Sequence, residues 1–364
     1  MEREIPLDIA KGIGIILVVL GHTLAGWGTS HQVLHRFIYS FHMPLFFGIS
    51  CAYISQNSPF ITFVKSKLTR FVLPFFFWVL FYFVLSRSIN IAKLLIASLR
   101  HANDLPPLTF EKDLVLLPLL ANWSSLDHSA LYVDLWFLPA IFSTVILYRL
   151  LGRWIASGGF VLNGTITIIV SFAVAHFNEL YQFHPHVPWS LDIAIVCFPF
   201  IHIVAYRHYW YKLNIFFVPL LLLVIYLLCQ HMHSFLAQLD FNNYWQFLAT
   251  GLAGTILVLL VSSLLKTTRL GTLCSKIGRR SYLIFVLQGA IYTLWRPIAS
   301  RLSCFANDDV QNVTLLILGL TATYMSYPWI TRSKYLRFLA LGESPVPKHI
   351  PPSSLCVTPQ LVKR

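Results

Sequence analysis

Apolar residues in this chain do not alternate with polar ones. They run on for about 20 positions at a time, the length a helix needs to cross hydrocarbon. Ten such runs can be marked, at roughly 6–27, 36–55, 70–87, 131–150, 160–177, 190–207, 214–231, 245–265, 281–297 and 312–331. Short polar or basic joints separate them. Proline falls inside several, at Pro44, Pro74, Pro139, Pro199, Pro219 and Pro328. Membrane helices tolerate this where neighbours satisfy the freed carbonyls. The pattern predicts an all-α fold, a polytopic membrane helix bundle of about ten transmembrane helices. No sequence repeat, direct or inverted, points to a transporter.

Composition agrees. The 364 residues are 57% hydrophobic and 11% charged, against about 25% charged in a soluble domain. Mean hydropathy is +0.68. The net charge of +13 would suggest nucleic acid in a soluble protein. Here Lys and Arg sit in the joints between apolar runs, where they encode topology, so no nucleic-acid partner is expected. Placing the N-terminus inside puts 20 of the 27 Lys and Arg residues on the inner side and 7 on the outer. Both termini are therefore expected in the cytoplasm. Asp8 and Lys11 close to the first run, with no small-residue cleavage site after it, favour an uncleaved first helix over a signal peptide. The six cysteines, Cys51, Cys197, Cys229, Cys274, Cys304 and Cys356, show neither metal-binding nor disulfide-framework spacing.

Two non-helical stretches stand out. An outer connection at about 88–130 is long enough to be either a lid or substrate shelf, or a linker lying on the bilayer. The Pro-, Ser- and Lys-rich end, 341–364, predicts a disordered cytoplasmic tail after a membrane domain at 1–340.

Candidate chemistry concentrates in the first runs. Leu7-Asp8-Ile9-Ala10-Lys11-Gly12 opens the first helix and Gly21-His22 closes it. A helix advances about 100° and 1.5 Å per residue, so Lys11 and His22 share a face about 16 Å apart. Asp8 can pair with Lys11; the two are either an interfacial orientation signal or part of a site. His22 lies within the membrane, where ionisable groups suggest function. The alternative is a core histidine bonded to a neighbouring helix. His42, in Phe41-His42-Met43-Pro44-Leu45-Phe46-Phe47, enters from outside to about 9 Å, against about 7.5 Å for His22. Both imidazoles fit one outer layer, although His42 alone reads as structural. Asp134 adds a carboxylate to that layer, beside Trp136, an aromatic of the interfacial belt. Lys67 and Arg70 share a face at i, i+3, and Lys276, Arg279 and Arg280 form a second cytoplasmic cluster. Such clusters hold anionic lipid or the phosphates of a soluble cofactor, with lipid favoured on the residues alone.

In order along the chain come Asp8-Ile-Ala-Lys11-Gly12, Gly21-His22, Phe41-His42-Met43-Pro44-Leu45-Phe46-Phe47, Lys67-Leu-Thr-Arg70-Phe71-Val72-Leu73-Pro74 and Leu135-Trp136-Phe137-Leu138. They resemble the membrane acyltransferase-3 family, especially its fucose-4-O-acetylase-like branch. The resemblance runs from residue 5 to about 331 and is strongest over 7–78. It implies a multi-pass O-acyltransferase of the bacterial inner membrane. Such a protein moves acetyl from cytoplasmic acetyl-CoA to a hydroxyl of a surface or lipid-linked glycan, with no metal. It implies His22 as the catalytic histidine, with Lys11 and Asp8 beside it in the motif. Lys67, Arg70 and Arg279 are then candidates for the acetyl-CoA phosphates, and His42, Asp134 and Trp136 for substrate or site support. Two departures are visible. Gln288 stands where many relatives carry histidine, and no fused hydrolase-like domain follows, so the chain is expected to act alone.

A neutral imidazole suits this chemistry. It removes the proton of a sugar hydroxyl as that oxygen attacks a thioester, and its unperturbed pKa is about 6.5. An acyl-histidine intermediate is a second route. A polysaccharide or lipid-linked sugar transporter is the competing class, and a non-catalytic partner in glycan export a third. Acetyl-CoA turnover separates them. The glycan acceptor and the oligomeric state are not legible in the sequence.

Overall fold

The computed structural model describes residues 4–24, 32–54, 58–99, 121, 133–157, 159–181, 187–232, 234–299, 301 and 308–343. Most of the expected outer connection and residues 344–364 of the expected tail lie outside these. The fold is all-α. Helix α1 (Ile5–Leu24) is central. It packs most extensively against α13 (Arg269–Gly278), and also against α3 (His42–Cys51), α12 (Tyr244–Leu264), α14 (Ser281–Ala299) and α15 (Asp308–Arg332). Along α1, 67% of the apolar window is buried, against 22% for α7 (Gly159–Tyr181) and 17% for α15. Most of the side chains of α7 and α15 therefore face outward, where lipid would cover them.

Glycine makes the α1–α13 contact possible. A Cβ at Gly12 would overlap the Cys274 carbonyl, and one at Gly278 would overlap the Asp8 carbonyl. Small residues let backbones meet in this way where no hydrophobic driving force brings membrane helices together.

Six helices among the described residues are long and apolar enough to cross a membrane. The sequence segments at 36–55, 190–207 and 214–231 do not become straight, full-length spans. Proline accounts for two of them. Pro44 cannot donate to the Ser40 carbonyl, and its ring crowds that group. The segment therefore splits into α2 (Gln32–Tyr39) and α3. Pro199 splits 190–207 into α8 (Leu191–Val196) and α9 (Phe198–Ala205), and the helical stretches on either side of the break are bent by 57°. At that break the Phe200 N–H turns to the Cys197 carbonyl. Ser171 then donates to the freed Val196 carbonyl at 2.8 Å. Helix α11 (Phe217–Cys229) has 13 residues, whereas α14 covers the expected 281–297 segment as one helix.

The third expected span grows instead. Helix α4 (Phe60–Lys67) runs through a π-turn, Leu68–Val72, into α5 (Leu73–Leu99). Residues 88–99, expected in the outer connection, are thus helical. A 3-10 turn, Val133–Trp136, leads into α6 (Phe137–Ser157). A two-residue β pair, Ser234–Phe235 with Asp240–Phe241, closes the turn between α11 and α12. Asn243 caps α12 by accepting from the N–H groups of Trp245 and Gln246 at 3.0 and 3.1 Å. The short α10 (Arg207–Trp210) follows α9, and α16 (Lys334–Leu341) docks on α5, where Trp78 donates to the Ala340 carbonyl at 3.0 Å.

Candidate active site

The Pro44 break decides where His42 sits. Where α2 ends, the Ile38 carbonyl accepts the Phe41 N–H at 3.3 Å, and the ring of His42, in the first turn of α3, meets the same oxygen. The Nδ1–Ile38 oxygen distance is 2.9 Å. A carbonyl can only accept, so Nδ1 carries the proton and Nε2 keeps its lone pair. The Tyr39 ring meets His42 edge-on at 4.8 Å and His22 at 6.2 Å. Tyr39 therefore stands between the two histidines.

His22 closes α1. Its Nε2 lies 3.7 Å from Oδ1 of Asp134, in the 3-10 turn that precedes α6. Nδ1 is buried and has no hydrogen-bond partner among the described residues. The His22 side chain lines a cavity of about 190 Å³. His22, Tyr39, His42, Asp134 and Trp136 line this cavity, with Phe285 on α14 and Ser234–Ala237 of the β turn. Its walls come from six parts of the chain, so the bundle must be complete before the site exists.

The structure thus brings together His22, His42, Asp134 and Trp136. It does not bring Asp8 or Lys11 to them. Those residues lie at the other end of α1, about 21 and 16 Å along the axis from His22. Asp8 is 3% exposed there. Its carboxylate is 3.8 Å from Lys11 Nζ and 3.7 Å from Arg279 Nε. Lys11 also sits over the Tyr53 ring at 5.6 Å. Nearby, Glu4 pairs through both oxygens with Arg207. Arg279 is thus tied to α1, though half its side chain is exposed. Lys67 ends α4 with its Nζ over Phe63 at 5.1 Å, and Arg70 is exposed in the π-turn. Neither lines the cavity.

Sequence reasoning missed Tyr39, Phe285 and the β turn. Tyr39 had one signal, its place three residues before His42. The β turn had none, because periodicity over two-residue strands is unreadable.

The profile of the acyltransferase domain, family acyltransferase-3, matches residues 5–330. The chain belongs to this family. It is a multi-pass membrane acyltransferase. This acyltransferase is also similar to two curated proteins named nodulation protein NolL. The one from Mesorhizobium japonicum is 36% identical over 90 aligned positions, covering 21% of this chain and 23% of the relative. The one from Sinorhizobium fredii is 38% identical over 87, covering 21% and 24%. The match thus spans about a quarter of each relative's length. No solved structure is significantly similar to the acyltransferase.

Proposed function

We propose that this acyltransferase moves an acetyl group from acetyl-CoA to a hydroxyl of a surface or lipid-linked glycan. The observation that carries the proposal is the His22 ring. It lines a cavity, and Asp134 stands 3.7 Å from its Nε2.

In the proposed step the His22 imidazole takes the hydroxyl proton as the sugar oxygen attacks the thioester carbon. A C–O bond forms and the C–S bond breaks. The imidazolium returns the proton to the departing thiolate, giving free CoA thiol and the acetyl ester. Asp134 supports the transient imidazolium, the orienting role a carboxylate plays beside a catalytic histidine. His42, fixed by Ile38, offers its Nε2 lone pair to a second sugar hydroxyl, and Trp136 gives the sugar an apolar wall.

The Lys11 end of α1 faces the cytoplasm in this reading, in a bacterial inner membrane. Lys67, Arg70 and the exposed part of Arg279 hold the phosphates of acetyl-CoA or of the surrounding anionic lipid. The pantetheine arm then spans the ~16 Å from Lys11 to His22. Asp8 acts as a positioning residue, holding Lys11 and Arg279. The test is O-acetylation of surface glycans, read by NMR in cells with and without this chain. Acetyl signals that appear only with the chain support the proposal. Unchanged glycans, with no acetyl-CoA consumed, would move the reading to a transporter.

A further inference from the structure

The β turn that closes the His22 cavity has a second face. Ser234, Phe235, Leu236 and Ala237 line the His22 cavity. The next four residues, Gln238, Leu239, Asp240 and Phe241, line a second cavity of about 410 Å³ against the last turns of α7. Leu239, at φ 51°, reverses the chain between the two faces. The pairing of Ser234 with Phe241 and of Phe235 with Asp240 fixes the turn. One short turn therefore separates the two cavities.

The walls of the second cavity divide by chemistry. Phe172, Phe241 and Tyr244 supply aromatic surface. Phe241 is stacked on Phe247 at 4.3 Å, and Tyr244 donates to the Ser171 hydroxyl at 2.6 Å, so two of these rings are held from behind. Facing them are Asn178, Glu179, Gln238 and Asp240, with His176 3.5 Å from Glu179. Amides and carboxylates of this kind accept and donate to hydroxyls, which do both themselves. The electron-rich ring faces attract the C–H edges of a pyranose. No Lys or Arg lines the cavity among the described residues, and two carboxylates do. Phosphate groups are therefore disfavoured, and so many polar groups disfavour a lipid tail. The volume lies within the roughly 300–1,000 Å³ range of ligand sites.

We propose that this second cavity is an acceptor subsite, binding the sugar that neighbours the one acylated beside His22. The preferred acceptor is then a chain of at least two sugars rather than a single sugar. The proposal rests on the acyl-transfer reading above.

The test uses the full chain in detergent with acetyl-CoA and two acceptors. One is the host cell's surface polysaccharide after alkaline removal of its esters. The other is the mixture of single sugars released from it by acid. Two variants probe the cavity by different routes. Glu179→Gln with Asp240→Asn weakens the polar wall, and Ala175→Leu fills the space from α7. Wild type is expected to prefer the polysaccharide. Each variant should reduce the ratio of kcat/KM for polysaccharide to that for single sugars about tenfold, the size of one lost hydrogen bond to a charged group. The loss should appear mainly in KM. A ratio unchanged in both variants, with wild-type thermal unfolding, overturns the subsite and leaves the acyl-transfer reading standing. Equal losses on both acceptors do the same. If wild type acetylates no glycan, the acyl-transfer reading fails first and the subsite falls with it.

Discussion

The two ends of α1 are built on opposite plans. At the Lys11 end charges are paired and the backbones touch. Asp8 lies between Lys11 and Arg279, Glu4 holds Arg207, and Gly12 and Gly278 allow α13 to close on α1. At the His22 end the helices stand apart around a cavity, and a buried ring nitrogen has no partner among the described residues. Burying an unsatisfied polar atom costs about 1–3 kcal/mol. Proteins keep such atoms where a ligand or a reaction needs them. One helix thus carries a packed anchor and an open cavity, and the anchor fixes the height of the histidine.

The largest expected effect of breaking this contrast is at the anchor. Gly278→Leu forces a side chain into the Asp8 backbone, which cannot yield as a side chain would. It should destabilise the fold by at least about 3 kcal/mol, read as loss of folded protein in detergent. Asp8→Asn comes next. It removes the carboxylate charge that Lys11 and Arg279 share and should cost about 1–3 kcal/mol, measured by thermal unfolding. Wild-type unfolding in this variant would show that the ion pairs hold nothing together.

At the other end the expected effects fall on rate. Asp134→Asn keeps the shape of the turn but removes the carboxylate beside His22. Transfer should fall by about 10²-fold, within the range of acid–base effects, while unfolding stays that of wild type. The smallest effect is at Gln288 on α14. It is fully buried, and neither its amide oxygen nor its nitrogen has a partner among the described residues. Gln288→Met should stabilise the protein by about 1 kcal/mol. Slower transfer from this variant, with higher KM for acetyl-CoA, would instead place the amide on the path of the donor.

The sequence was legible where one property repeats along the chain. Runs of apolar residues located the helices, and 1.5 Å per residue put His22, His42 and Asp134 at matching depth. Hydropathy did not see the breaks at Pro44 and Pro199, because an apolar run stays apolar through a bend. It also ended the third span at 87, where Arg87, Ser88 and Asn90 lower the average, although the helix continues to Leu99. The His22–Asp134 pair joins residues more than a hundred positions apart, which no local pattern reports. Depth alone could not say that Tyr39 stands between the histidines or that a two-residue β pair closes the chamber.

The most direct measurement is acetyl transfer from acetyl-CoA by purified wild-type chain and by His22→Ala, with both shown to unfold at the same temperature. The account predicts a loss of about 10²–10⁴-fold in the variant. Transfer by His22→Ala at the wild-type rate would contradict it and remove His22 from the chemistry.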